Sequence, residues 1–268
     1  MATFRVGIVV LAASLLLHGE SAGRASYERA NSLFVAKKFP EAAAALDEAL
    51  AKDPDLVPAL TLRAKLAMAA RRYDVVRKSL EHALAVDPKS SYAQFLYGME
   101  AYLNNEMTEA LVRFRRAREL APSDPRPALY LGLTTESVGR PAEAMTLYEK
   151  AVRLARHAGQ LDGETLLPGA RLLLLLGRLD ESETWLRDAV RLSPRLRDAR
   201  FEFARLLLKK GNAAEAAENG EAALAAPEGT IDDNAIHYLL VRAWKAAGQP
   251  DRAAAHAAVM RAREATPP

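Results

Sequence analysis

The sequence predicts an all-α fold: a right-handed superhelical solenoid of antiparallel helix pairs, about seven in number. Three observations carry this expectation. Pro54, Pro88 and Pro122 recur every 34 residues, a period in the range that marks stacked repeats. Small residues recur at matching points within that period, where two helices must approach closely. Half of the 268 residues are apolar, with Ala and Leu dominant and β-branched residues sparse, a composition that suits helices better than sheets.

Taken in order, the first helix pair is expected over Ser26–Lys37 and Pro40–Lys52, with Pro40 at an opening position where its missing N–H costs nothing. Asp53-Pro54-Asp55 ends that pair and offers an acceptor to cap the next. The second pair covers Val57–Ala70 and Tyr73–Val86, and Asp87-Pro88 closes it. The third, within Tyr92–Asp124, is the clearest copy, and the fourth runs from Pro125 to His157 with a turn at Gly139-Arg140-Pro141. Arg156 stands where a proline would keep the pattern. The next stop, Pro194, comes four residues late, and the stretch His157–Gly163 is expected to absorb the excess as a longer loop. The fifth pair occupies Glu164–Leu176 and Leu179–Leu192, and the sixth Leu196–Lys210 and Ala213–Ala225. After the irregular Pro227-Glu228-Gly229, the seventh covers Asp232–Ala247 and Pro250–Ala265, and residues 266–268 form a frayed tail.

The amino-terminal 25 residues read as a secretory signal peptide. Arg5 supplies the positive end, Val6–Leu17 an uncharged run, and Ser21, Gly23 and Ala25 the small residues of a cleavage region, with cleavage after Gly23 or, preferably, Ala25. The run is well short of the roughly 20 residues that a spanning helix needs. Cleavage would remove two arginines and one glutamate, leaving a mature chain of charge +2, exported to the bacterial periplasm or the extracellular space. There are no cysteines, so disulfides, thiolate chemistry and Cys-based zinc sites are excluded. The small net charge argues against a nucleic-acid partner.

Three columns of small residues explain how the pairs pack. Ala30, Ala64, Gly98, Gly132, Ala170 and Ala204 lie on first helices. Ala42, Val76, Ala110, Ala144, Ser182, Ala216 and Ala253 lie on second helices, followed seven residues on by Ala49, Ala83, Ala117, Ala151, Ala189 and Ala223, with Met260 in the last copy. Leu46, Leu80, Phe114, Tyr148 and Leu186 fill the interior between them. The third copy reads Gln94-x2-Tyr97-Gly98, then Ala110-x3-Phe114-x2-Ala117-x4-Pro122; the fourth reads Leu131-Gly132, then Ala144-x3-Tyr148-x2-Ala151. This pattern resembles the tetratricopeptide repeat (TPR) family over Ser26–Ala265, although the Trp that opens the family pattern is absent from every copy.

No catalytic constellation stands out. The histidines never fall in HExxH spacing, and no phosphate-cradling or GxSxG motif occurs. His157 with Asp162, and His237 with Asp232 and Asp233, are the His–carboxylate neighbours, each read first as a solvated helix-end histidine. The expectation is therefore a non-enzymatic chain without cofactor or metal.

The resemblance implies that the first helices line a concave groove that binds a partner peptide or protein. One row along it would run Tyr27, Thr61, Phe95, Leu129, Leu167, Phe201, Tyr238; a second Asn31, Lys65, Met99, Leu133, Arg171, Arg205, Arg242; a third Phe34, Met68, Tyr102, Glu136, Leu174, Leu208, Lys245. The first copies carry an apolar, adaptable set in Tyr27, Phe34, Met68, Phe95, Met99 and Tyr102, and the last copies a basic one in Arg171, Arg205, Arg242 and Lys245. Two readings stand side by side. Either the groove docks apolar side chains at one end and carboxylates at the other, or the arginines are a solvated face and the aromatics close the superhelix. Asn31 and Lys65 match part of the Lys/Asn/Arg clamp by which some family members grip acidic chaperone termini, but Met99 and Leu133 follow, and with the export signal this argues against a cytosolic adaptor. The functional expectation is an interaction scaffold of the cell envelope or secreted space. The alternatives are a soluble module for an acidic peptide and, less favoured, an enzyme with a groove-lining site. Self-association stays open.

Overall fold

A computed structural model describes residues 23–227 and 229–264 of the chain; most of the expected signal peptide and the 266–268 tail lie outside the described residues. Among these residues the chain forms 14 α-helices and no strand. Two units divide it. Met1–Ser123 holds α1 (residues 23–35), α2 (Phe39–Lys52), α3 (Val57–Ala69), α4 (Tyr73–Val86), α5 (Ser91–Leu103) and α6 (Met107–Leu120). Asp124–Pro268 holds α7 (Pro125–Ser137), α8 (Pro141–His157), α9 (Gly163–Leu175), α10 (Leu179–Leu192), α11 (Arg197–Lys209), α12 (Ala213–Ala225), α13 (Asp233–Ala246) and α14 (Pro250–Glu264). Odd-numbered and even-numbered helices alternate as the first and second members of seven antiparallel pairs, as the period predicts. Within the first unit α3 lies beside α5, and within the second α9 lies beside α11 and α11 beside α13, so first helices of successive pairs are neighbours.

Local chemistry sets the helix ends. Ser90, Asp124, Asp162 and Asp232 accept hydrogen bonds from backbone N–H groups at the starts of α5, α7, α9 and α13, satisfying donors that have no partner inside the helix. The turns within pairs share one design, in which two backbone hydrogen bonds fold back across a residue in the left-handed region. In the first pair Lys37 N–H donates to Phe34 C=O and Lys38 N–H to Leu33 C=O. Glycines occupy the left-handed position in the last four pairs, at Gly139, Gly177, Gly211 and Gly248, whereas Lys37, Arg71 and Asn105 occupy it in the first three with φ of 59°, 55° and 62°. A side chain there costs about 1 kcal/mol relative to glycine.

One expectation is corrected. The four-residue excess before Pro194 does not go wholly into a loop, because α8 has 17 residues where α2, α4, α6 and α10 each have 14. With Arg156 in place of a helix-ending proline, nothing sterically stops the helix, and it continues for most of another turn.

The small columns are buried. Ala30, Ala64, Ala170 and Ala204 on first helices, and Ala42, Val76, Ala110, Ala144 and Ala216 on second helices, have no accessible surface. Ser182 in the second column satisfies its hydroxyl by donating to Ala170 C=O, 2.9 Å away. Gly98 and Gly132 are required by their opposite numbers: a Cβ on Gly98 would lie 2.6 Å from the Phe114 ring, and one on Gly132 2.6 Å from the Tyr148 ring. Both rings are fully buried, so they have no room to retreat.

Replacing Gly98 with Ala is expected to destabilise the protein by about 1–3 kcal/mol through overpacking, despite Ala's better helix propensity. Combining it with Phe114→Leu should cost less than the sum of the two single changes, because the smaller side chain vacates the disputed space. Urea unfolding of the four members of this cycle measures the coupling, and strict additivity would show that the glycine is not there for the ring.

Candidate functional site

The first-helix face of each unit presents the residues expected to contact a partner. In the first unit Asn31 is exposed, and Tyr27, Phe34, Lys65, Met68, Met99 and Tyr102 are half-buried. The Lys65 ammonium lies over the Phe34 ring, 4.7 Å from its centroid, which ties α1 to α3 at the surface. Phe34 also tilts against Phe39 at 5.7 Å. Phe95 turns inward instead: it is 5% exposed and packs against Phe114 at 5.8 Å, so it supports the face rather than forming it.

In the second unit Arg171, Arg205, Arg242 and Lys245 are exposed on α9, α11 and α13. Arg171 and Arg205 converge on one carboxylate. Glu202, one turn before Arg205 on α11, is 3% exposed; its Oε2 accepts from Arg205 Nη1 at 2.7 Å and its Oε1 lies 3.6 Å from Arg171 Nε. Burial pushes the Glu202 carboxyl above the usual range, against the pull of the Arg205 and Arg171 guanidiniums. The anchored guanidiniums are 47% and 59% exposed, so two cations held by one buried anion leave a net positive face. Arg205 also lies over Phe201, and Arg242 over Tyr238 at 5.9 Å. The arginines are thus neither bare solvated charges nor a free row, because an internal carboxylate fixes two of the three.

Sequence reasoning missed three arrangements. Glu202 is the first. The second joins Arg77, Glu100 and Glu106: Arg77 Nη2 donates to both oxygens of Glu100, at 3.0 and 2.9 Å, and to Glu106 at 2.8 Å, while Asn104 donates to Glu100 at 2.7 Å. Glu100 is 1% exposed, and these bonds satisfy its buried charge. The available signal was an acid at a position where the neighbouring copies carry the uncharged Leu66 and Thr134. The third is a chain of contacts in the last pairs. His237 Nδ1 lies 3.0 Å from His256 Nδ1, His256 Nε2 lies 2.9 Å from Glu221 Oε1, and Trp244 Nε1 donates to that same oxygen. A proton on His256 Nε2 facing the carboxylate leaves its Nδ1 as acceptor and His237 Nδ1–H as donor.

The His–carboxylate neighbours seen in the sequence do not form pairs. Asp162 and Asp232 are taken up as helix caps, and Asp233 pairs with Arg197 and Arg263. Among the described residues no group of three His, Asp or Glu is placed to hold a metal ion, and no helix is long and apolar enough to cross a membrane.

Models of the tetratricopeptide repeat match residues 33–99 and residues 7–57. The structure of PilW, described as a widely conserved type IV pilus biogenesis factor, is similar with a TM-score of 0.68 at 21% identity, over 79% of this chain and 95% of its own. The fold is that of the tetratricopeptide repeat. Pseudomonas aeruginosa pilF is similar with a TM-score of 0.53 at 19% identity, over 89% of this chain and 90% of its own. YrrB, described as a TPR protein with an unusual peptide-binding site, is similar with a TM-score of 0.54 at 19% identity, over 75% of this chain and 97% of its own. At these identities the likeness is one of fold. No curated protein matches the sequence.

Two titrations follow from this geometry. A carboxyl raised by burial binds its proton more tightly when folded, so the Glu202 contribution to stability is greatest below the ordinary glutamate range and falls as pH rises through its folded value. Glu202→Gln should remove that fall, seen as a flatter profile of urea stability against pH. His237 runs the other way: burial first, then His256 and Arg263, lower its pKa below the ordinary 6.5, opposed by Asp233 and Glu221. Its contribution is complete above about pH 6.5 and is lost as the pH falls toward its folded value. Protection factors of the α14 amides, which are exchange rates corrected for the intrinsic pH dependence, should therefore fall on acidification, and His237→Gln should blunt the effect.

Proposed function

We propose that this chain is a non-enzymatic interaction scaffold of the cell envelope or secreted space, which grips a partner protein through the first-helix faces of its repeats. The observation that carries the reading is the arginine pair anchored on Glu202. A buried carboxylate that holds two guanidiniums in place prepares the remaining N–H donors for carboxylates of a partner, and a preorganised donor array loses less entropy on binding. Arg242 and Lys245 extend the same positive character along α13. The half-buried Phe34, Met68, Met99 and Tyr102 of the first unit supply adaptable apolar contact.

Export rests on the amino-terminal pattern of Arg5, the uncharged Val6–Leu17 and the small residues up to Ala25. The fold likeness to PilW and to pilF makes assembly of a type IV pilus the first envelope pathway to examine. A soluble module that captures an acidic peptide without joining a standing assembly is the second reading, favoured by the same net positive face.

Cross-linking pull-down from an envelope extract with the full chain, beside an Arg171→Ala, Arg205→Ala, Arg242→Ala variant, tests the reading. Recovery of a defined partner by the parent and its loss by the variant is expected, with weakening of about tenfold or more for charge-assisted contacts. Equal recovery by both would remove the arginines from the site. Amino-terminal sequencing of the fractionated protein tests export: a start at Ser26 is expected, and an intact Met1 in the cytosolic fraction would contradict it.

A further inference from the structure

A second surface lies away from the first-helix faces. Between α2, the carboxyl-terminal half of α3 and the start of α4, the first unit carries an open cleft of about 690 Å³. Its walls are apolar, with Phe39, Ala43 and Leu46 from α2, Leu66 from α3 and Val75 from α4. Three charged groups reach it: Arg63 and Arg72, and against them Asp47.

The next junction shows which side chains meet at the corresponding positions. The repeat is 34 residues, so the positions of Ala43, Leu66 and Arg72 correspond to Arg77, Glu100 and Glu106. There the guanidinium of Arg77 crosses from α4 to the buried Glu100 on α5 and to Glu106 in the turn before α6. Tyr97, with Arg113 4.1 Å and Arg77 5.7 Å from its ring centroid, completes that plug. In the first junction each of these three positions holds a different residue type. The crossing arginine is an alanine, the buried acid is a leucine, and the acid of the turn is Arg72. Tyr97 is matched by Arg63, whose Nε is used on Ser79 Oγ at 3.1 Å. The result is an apolar slot with a cationic lip. Arg72 is exposed and makes no ion pair among the described residues, and Arg71 beside it sits in the left-handed conformation that the second unit reserves for glycine. Lys37 and Lys38 repeat this pairing of cations at the α1–α2 turn, next to exposed Val35 and Phe39.

We propose that this cleft is a second binding site, which takes an acidic peptide segment of a partner protein: one large apolar side chain enters over Ala43 and Leu66, and a neighbouring carboxylate meets Arg72. The charge balance decides the occupant. Two guanidiniums against one carboxylate favour an anion, and where Arg77 meets Glu100 and Glu106 an occupant here meets Leu66 and Arg72, whose complement is an apolar group beside an acid. A concave slot suits an inserted side chain and not a flat lipid surface. The site is independent of the arginines on α9, α11 and α13, so its fate does not depend on theirs.

The test grafts the neighbouring plug. Ala43→Arg, Leu66→Glu and Arg72→Glu together recreate the Arg77–Glu100–Glu106 arrangement and close the cleft; Arg72→Glu alone keeps the cleft and reverses its lip. The probes are short labelled peptides in which leucine, methionine or phenylalanine is flanked by glutamates, the same peptides with lysine for glutamate, and phosphatidylglycerol vesicles. Acidic peptides are expected to bind the parent, to lose about tenfold or more in affinity on Arg72→Glu, and to lose binding on the triple graft, while the Arg171→Ala, Arg205→Ala, Arg242→Ala variant retains it. Thermal unfolding of each variant separates loss of the site from loss of the fold, and Arg72→Glu decides the question should the graft not fold. The proposal is overturned if no acidic peptide binds, if lysine peptides bind as well, if neither cleft variant weakens binding, or if vesicles bind the parent through Arg72 and the peptides do not.

Discussion

The close approach of two antiparallel helices is the constraint on which the rest of this protein depends. It is met where a residue without a side chain faces a ring, Gly98 under Phe114 and Gly132 under Tyr148, and in other pairs by fully buried alanines at the same positions. A helix pair of this kind buries one stripe and leaves another uncovered, so it is stable only against its neighbours. Each fully buried Leu or Phe contributes about 1.5–3 kcal/mol. The small columns are therefore the condition for stacking, and stacking places the first helices side by side as a face.

Polar groups enter this scaffold where the apolar pattern is interrupted, and each interruption has a consequence. Glu100 and Glu202 are carboxylates almost without accessible surface, in helices whose other buried residues are mostly apolar. Removing such charges from water is costly unless they are bonded: Glu100 is bonded by Arg77 from α4, and Glu202 faces Arg205 of its own helix and Arg171 from α9. In the first unit the recruitment closes a junction. In the second it orients two guanidiniums at the surface. The same physics thus serves as a plug in one place and as a preorganised binding face in another, and where the plug residues are exchanged for Ala43, Leu66 and Arg72 a cleft remains.

Much of the fold was legible before any coordinates. Periodic prolines and small residues report on steric limits that act within one repeat, so the helix pairs and their turns follow from local pattern. The correction at α8 is equally local, since Arg156 lacks the ring that ends its counterparts. The surface was less legible. Phe95 reads as a groove residue by its place in the row, yet it turns toward Phe114, because the direction of a side chain depends on the space left by a neighbouring helix. His237 follows Asp232 and Asp233 by five and four residues at the start of α13, but it meets His256 from α14, and the acids serve as a cap and an arginine partner.

By itself the sequence determined the all-helical repeat, its period, the pairing of helices and the residues that permit them to touch, since each of these is imposed by contacts within a repeat and its copies. Only the tertiary structure decided which charges find each other. Arg171 of α9 meets Glu202 of α11, Arg77 of α4 meets Glu100 and Glu106, and Arg72 meets open space, because these are side chains that reach, or fail to reach, a partner on another helix. Pattern fixes what must be buried; distance in the folded chain fixes what is left to bind.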